Sequence, residues 1–220
     1  MTIEPLKLSW MGEQAILCDT GHAAIDLKLQ ERFWALAEQL KGRAFVREVV
    51  PGMNNLLVMI DAAAIGGAEA LKDIETCWNG LDEHSVAGQE IEVPVRYGGQ
   101  HGIDLVHVAK ITGLSPEDYV RRHSEGRYIV FNLGSQPGFG YLGGLDPSLA
   151  VPRREVPRTR VEAGSIVIGG AQAGVISKTS PSGWHIIGKT DLRFFDPAAA
   201  PPALLAPGDV IRFRIESMEP

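Results

Sequence analysis

The chain has 220 residues, 45% hydrophobic and 22% charged, enough for one large domain or two small ones. It has no run of eighteen apolar residues to span a membrane, and the opening MTIEPLKLSW lacks the basic and apolar regions of a secretory signal. The net charge of −6 lies wholly in residues 1–88, with seven Lys/Arg against thirteen Asp/Glu, while 89–220 hold fourteen of each. A nucleic-acid partner is therefore not expected, and two unrelated cysteines, Cys18 and Cys77, fit a cytoplasmic chain without disulfides.

In chain order, EQAILC (13–18) reads as a strand. From His22 to Lys41, Ile25, Leu29, Phe33, Leu36 and Leu40 recur at steps of three and four, which predicts one face of a helix. Phe45–Val50 and Leu56–Ile60 read as strands around the turn Pro51-Gly52-Met53-Asn54. Gly66-Gly67 opens a second helix with Leu71, Ile74 and Trp78 on one side, closed by Asn79-Gly80. Strand, helix, hairpin, helix is most of a split βαβ unit, so residues 1–88 are expected to form a ferredoxin-like α+β domain. The polar stretch Asp82–Gln89 reads as a linker.

Residues 89–220 open on a strand in which Ile91, Val93, Val95 and Tyr97 alternate. Asp104–Thr112 is a short helix closed by Gly113, and Ser115-Pro116-Glu117-Asp118 starts another that ends near His123. After the strand Arg127–Leu133 come only short strands between Gly/Pro turns, the last being Val210–Ile215. That pattern predicts a closed β-barrel.

Eleven glycines fall in the fifty-five residues from Gly134 to Gly188, each cluster among aromatic, β-branched or arginine residues. Loops of this kind suit a pocket, and the search for chemistry belongs here. Phe139, Tyr141 and Trp184 beside these glycines either wall a pocket or pack as ordinary core. Arg153, Arg154, Arg158 and Arg160 crowd into eight residues, forming either a local anion site or a solvated basic hairpin. Gly183–Thr190 matches the phosphate-loop pattern, but its bulky middle residues and the alternating DLRFFDP that follows fit a strand instead. His123 in the last turn of its helix fits a helix-dipole contact or a general acid/base. The histidines show no metal-ligand spacing, so no metal site is expected. No G-x-S-x-G elbow occurs.

The ordered motifs VVPGMNNLLV (49–58), VPVRYGG (93–99), the run 104–134, PGFGYLGGL (137–145), PRREVPRTRVEAGSIVIGG (152–170) and SGWHIIGKT (182–190) span nearly the whole chain. On these the sequence resembles the allophanate hydrolase subunit 1 family, which includes a bacterial sporulation-kinase inhibitor as well as the B subunit of 5-oxoprolinase. The resemblance implies a ferredoxin-like domain followed by a cyclophilin-like barrel. It also implies a partner of the allophanate hydrolase subunit 2 type, the C subunit of 5-oxoprolinase, together with a third, A-type chain. The implied reaction is ATP-dependent opening of the 5-oxoproline lactam to L-glutamate, with ATP and its Mg as co-substrate. Inhibition of a sensor histidine kinase, or a carboxyltransferase-like role on a urea-like substrate, is the alternative.

Lactam activation by phosphorylation needs positioned cations. Motif position offers Arg153, Arg158 and Lys189, with His123 for proton transfer and Gln172 to orient a polar group. Gln136, Pro137, Gly138, Phe139, Tyr141 and Trp184 complete the expected pocket. The chain departs from the family pattern at Ser135-Gln136, Ser182, Lys189, Ala173 and Ile176-Ser177. These departures cluster on the pocket and leave the fold expectation intact.

Overall fold

Asp26 sets where the first helix begins. Its carboxylate accepts the Leu29 amide at 2.8 Å, and α1 runs Leu27–Lys41 in the computed structural model, which describes residues 5–21, 25–81 and 88–219. The helix therefore starts later than its apolar spacing indicates. Ile25 has the right spacing but precedes the cap and is 40% exposed, and His22 lies outside the described residues.

The chain divides into two compact units, Met1–Val86 and Ala87–Pro220. In the first, β1 (Lys7–Trp10), β2 (Ala15–Asp19), β4 (Asn55–Ile60) and β3 (Val46–Pro51) form an antiparallel sheet in that spatial order. The second helix, α2, covers Gly67–Asn79. The run from β2 to α2 has the expected order of strand, helix, hairpin and helix. On the other side of β2 from β4, however, lies β1, which precedes that run and is not expected from the sequence. Ile16, Cys18, Leu56, Val58 and Ile60 meet Phe33, Leu36 and Leu40 of α1 and Ile74 and Trp78 of α2 in one buried cluster. Both cysteines are free and buried. Of the expected linker, residues 82–87 lie outside the described residues.

In the second unit, β5 (Glu90–Gly98) leads to α3 (Leu105–Thr112) and α4 (Pro116–Glu125). Gly113 ends α3 with φ +71°. Ser115 Oγ caps α4 by accepting the Asp118 amide at 3.1 Å, and the helix continues past His123 to Glu125. Next come β6 (Tyr128–Leu133), β7 (Gly140–Gly143), β8 (Arg158–Val161) and β9 (Ser165–Gly169). They are followed by β10 (Gln172–Val175), β11 (Ser180–Ser182), β12 (His185–Lys189) and β13 (Val210–Glu219). Seven strands close into a barrel, β10-β7-β6-β13-β5-β12-β9, with β9 pairing back onto β10. Only β5 and β13 run parallel among these pairs, with Val93 opposite Phe213. The expected closed barrel is present, and β8 and β11 form a separate antiparallel ribbon.

The barrel is filled by Val93, Val95, Tyr97, Tyr128, Val130, Ile166, Ile168, Ile187, Ile211 and Phe213, joined by Val108, Tyr119 and Val120 from the helices. Each fully buried Val, Ile or Phe contributes about 1.5–3 kcal/mol relative to exposure. The phosphate-loop lookalike is strand β12, with no helix after it. Among the described residues, no helix is long and apolar enough to cross a membrane.

Candidate functional site

Strands β9 and β10 are buried on both faces, because a second cluster covers the outside of the barrel there. Ile166, Ile168, Ala173 and Val175 point into the barrel core. Val167 points the other way, into a cluster with Phe139, Val161, Ile176, Trp184 and Ile186, and Tyr141 packs at its margin. Alternation along a strand puts Gln172 on the same face as Gly174, and Gly174 lies opposite Tyr141 of β7. The aromatic rings meet edge to face: Phe139 is 4.9 Å from Tyr141 and 5.8 Å from Trp184 between centroids.

Two glycines let these rings sit against the sheet. A Cβ on Gly169 would lie 2.6 Å from the Trp184 ring, and one on Gly174 would lie 2.8 Å from the Phe139 ring. The turn 134–139 delivers Phe139 to this face. Its ends are joined by the Gly134 amide to Phe139 O bond at 3.1 Å, and Ser177 Oγ donates to Pro137 O at 2.7 Å. Gln136 Oε1 in this turn, and Oδ1 of Asn132, the cross-strand neighbour of Tyr141, are buried without a donor among the described residues.

The positive charge comes from the segment after β7. The Arg153 guanidinium stands 5.4 Å from the centroid of the Trp184 ring, within cation–π range. Among the described residues it has no ion-pair partner. Its neighbours do. Arg158 grips Asp104 through two bonds of 2.7 and 2.8 Å, Arg154 reaches the same carboxylate at 3.5 Å, and Arg160 pairs with Glu162 at 2.8 Å.

Asp104 stands at the N-cap position of α3, but its side chain makes no capping bond to the helix. Its Oδ2 accepts the Ile186 amide at 2.8 Å. Burial favours a raised pKa for Asp104, but the Arg158 bond, the Ile186 amide and the Arg154 charge outweigh it and hold the carboxyl below its usual range. His185 is also buried, with Nε2 3.0 Å from Pro152 O and, among the described residues, no partner for Nδ1. Burial pushes its imidazole down, against the Pro152 bond and the Asp104 charge.

The comparisons with known proteins agree with this architecture. A family described as carboxyltransferase domain, subdomain C and D, matches residues 6–205. The 5-oxoprolinase B subunit from Haemophilus influenzae is 42% identical over 219 residues, covering the whole of both chains. The chain belongs to the family of 5-oxoprolinase B subunits. Among solved structures, TTHA0988 is similar with a TM-score of 0.80 and 31% identity, over 94% of this chain and 40% of that one. This chain thus spans less than half the length of that protein. The Kluyveromyces lactis urea amidolyase matches 99% of this chain with 15% of its own, at a TM-score of 0.84 and 19% identity, which shows a shared fold.

On this family fold, the structure brings together Arg153, Phe139, Tyr141, Gln172 and Trp184, with Gln136, Pro137 and Gly138 forming the turn that carries Phe139. It does not assemble an anion site from all four arginines, because three are already paired with carboxylates. Arg158 is among them, committed to Asp104. Lys189 sits at the opposite end of β12 from Trp184, paired in register with Arg96 and Ser165. His123 is fully buried, away from this face. Its ring lies 4.6 Å from that of Phe213, and its Nδ1 is 2.8 Å from the Tyr97 hydroxyl.

Sequence reasoning passed over Asp104, Asn132 and His185. Asp104 meets Arg158 and Ile186 across 54 and 82 residues of chain, so no local pattern reveals it. Asn132 had one available signal, a polar amide in an otherwise apolar strand run, YIVFNL.

Proposed function

We propose that this chain is the B subunit of an ATP-dependent 5-oxoprolinase, and that Arg153 binds the carboxylate of 5-oxoproline on the aromatic face of the barrel. The observation that carries this reading is one guanidinium that has no ion-pair partner among the described residues, poised over the Trp184 ring on the face that carries Tyr141 and Gln172, in a chain 42% identical to a 5-oxoprolinase B subunit over its full length. A small flat lactam bearing one carboxylate suits that combination of aromatic wall, carboxamide and cation. The first unit is read as ferredoxin-like, with its edge strand supplied by the start of the chain, and the barrel as cyclophilin-like. The domains are taken as 1–88 and 89–220, in a cytoplasmic protein.

A lactam is a resonance-stabilised amide. Transfer of the ATP γ-phosphoryl group to its oxygen, releasing ADP, leaves a ring carbon that water attacks. The ring nitrogen then leaves as the amine, and a second water frees phosphate from the resulting acyl phosphate, giving L-glutamate. Mg travels with the nucleotide in this scheme. The rest of the machinery comes from a C-type partner and an A-type protein of the same complex, and the isolated chain is expected to be weakly active or inactive.

The test is glutamate formation from 5-oxoproline and ATP with all three subunits present. Turnover should require this chain, and Arg153→Ala should raise KM for 5-oxoproline about 10–100-fold, as removal of a charged hydrogen-bonding group does. KM for ATP should stay near the parental value. Turnover that persists without this chain would end the reading.

A further inference from the structure

Residues 151–158 form a strap fastened on both sides of Arg153. Val151 O accepts the Gly170 amide at 2.8 Å. Pro152 O is 3.0 Å from His185 Nε2, and the Arg154 amide donates to Gly183 O at 2.8 Å. Pro152-Arg153-Arg154 therefore runs alongside His185-Trp184-Gly183. Arg153 faces Trp184 because the residues flanking each are tied to one another.

One carboxylate closes the far end of this strap. Asp104 takes both terminal nitrogens of Arg158 and one of Arg154. The same residue exchanges two bonds with Ile186, accepting its amide at 2.8 Å and donating its own amide to Ile186 O at 2.9 Å. Ile186 lies two residues beyond Trp184 on the same chain segment. Asp104 thus fastens both the strap that bears Arg153 and, through Ile186 of β12, the segment that bears the ring beneath it. Its side chain is only 6% exposed, so it makes these bonds from the interior and offers no surface to a ligand.

We propose that Asp104 is a positioning residue, which governs binding of the anionic ligand through Arg153 without touching that ligand. Its forked grip on Arg158 fixes the orientation of that guanidinium as a single-point contact would not. The inference rests on the reading of Arg153 as the carboxylate-binding arm.

The experiment is a double-mutant cycle in the enzyme reconstituted with all its subunits. Asp104→Asn retains an acceptor for the Ile186 amide but loses the charge and the forked pair. It should raise KM for 5-oxoproline about tenfold while leaving kcat and KM for ATP within about twofold. In the Arg153→Ala background the same change should add nothing further to KM. Arg158→Lys keeps the charge but cannot fork, and it should reproduce the KM effect. It also serves as the test variant should Asp104→Asn fail to fold, which urea unfolding would reveal.

If Arg153→Ala leaves KM for 5-oxoproline unchanged, the carboxylate-arm reading falls and this inference falls with it. If Arg153→Ala raises KM while Asp104→Asn and Arg158→Lys do not, only the positioning role is overturned. Multiplicative effects in the double mutant would likewise overturn it, since they would mean that Asp104 acts independently of Arg153.

Discussion

The Tyr97 hydroxyl and His123 Nδ1 stand 2.8 Å apart in the core of the barrel unit, with both residues fully buried. Aromatic rings surround the imidazole, Phe213 at 4.6 Å and Tyr128 at 5.2 Å. Burial pushes the imidazole pKa down to about 3 and keeps the tyrosine protonated by raising its pKa. The Tyr97 O–H therefore donates to a neutral ring.

That depressed pKa makes folding proton-linked in a defined window. The unfolded chain takes up a proton at this histidine below its ordinary value of 6.5, while the folded chain resists until about pH 3. Stability from the neutral ring is thus complete above pH 6.5 and falls on acidification, by about 1.4 kcal/mol per pH unit. Urea unfolding of the parent and of His123→Gln should show a stability difference that shrinks steadily from about pH 7 to about pH 4.5. A difference that stays constant over this range would show that another group carries the linkage.

Tyr97→Phe separates the hydrogen bond from the titration. The phenyl ring fills the same space, but His123 Nδ1 loses its partner, and Nε2 already has none among the described residues. A buried polar atom stripped of its bond costs about 1–3 kcal/mol. The variant should lose that much in urea unfolding at neutral pH yet keep the acid dependence of the parent, because the histidine remains buried.

The glycines under the aromatic face offer a graded steric test. Gly169→Ala and Gly174→Ala would place a methyl group 2.6 Å from the Trp184 ring and 2.8 Å from the Phe139 ring. Rigid rings cannot bend away, so each change should destabilise by about 1–3 kcal/mol and alter the near-ultraviolet circular dichroism of the aromatic cluster. Gly183→Ala is the control. Its nearest neighbours would lie at 3.7–3.8 Å, an ordinary contact, and both signals should stay close to the parent.

The contrast between these glycines and the arginines shows what a sequence can carry. Glycine clusters among aromatics mark where rings lie flat on the sheet, as at Gly169 and Gly174, because close packing against a sheet demands a missing side chain, and that demand is local. The barrel was legible for the same reason: Val93, Val95 and Tyr97 alternate in one short run, and each side chain follows its parity into the core. Arginine partners are not local. Within eight residues, Arg153 goes to Trp184, Arg154 and Arg158 to Asp104, and Arg160 to Glu162. Proximity in sequence therefore suggested one patch where the fold makes three separate arrangements. Strand β1 escaped notice because KLSW is an edge strand whose residues are exposed or half-buried, so it lacks the alternation a buried strand shows.

Asn54 ties a recognisable motif to the start of the first helix. It holds φ +52° in the turn before β4, where its Oδ1 accepts the Asp26 amide at 2.7 Å and its Nδ2 donates to Asp26 O at 2.6 Å. Its own amide donates to Gln30 Oε1 at 2.7 Å, and Gln30 Nε2 returns to Gly52 O at 3.1 Å. Asp26 is the residue that caps α1, so this network fixes the hairpin against that helix start. Asn54→Gly keeps the backbone conformation and loses the two side-chain bonds to Asp26 and the longer one, 3.4 Å, to Gln30 Oε1, which should cost about 1–3 kcal/mol. Asn54→Ala loses those bonds and also strains the left-handed backbone, adding about 1–2 kcal/mol. Urea unfolding of the full chain should therefore rank parent above Gly above Ala. Asn54→Asp should also fall below the parent, because it sets a carboxylate oxygen against Asp26 O in place of a donor. Equal stability of the Gly and Ala variants would mean that the turn relaxes out of its positive φ, and that the side-chain bonds alone hold this corner.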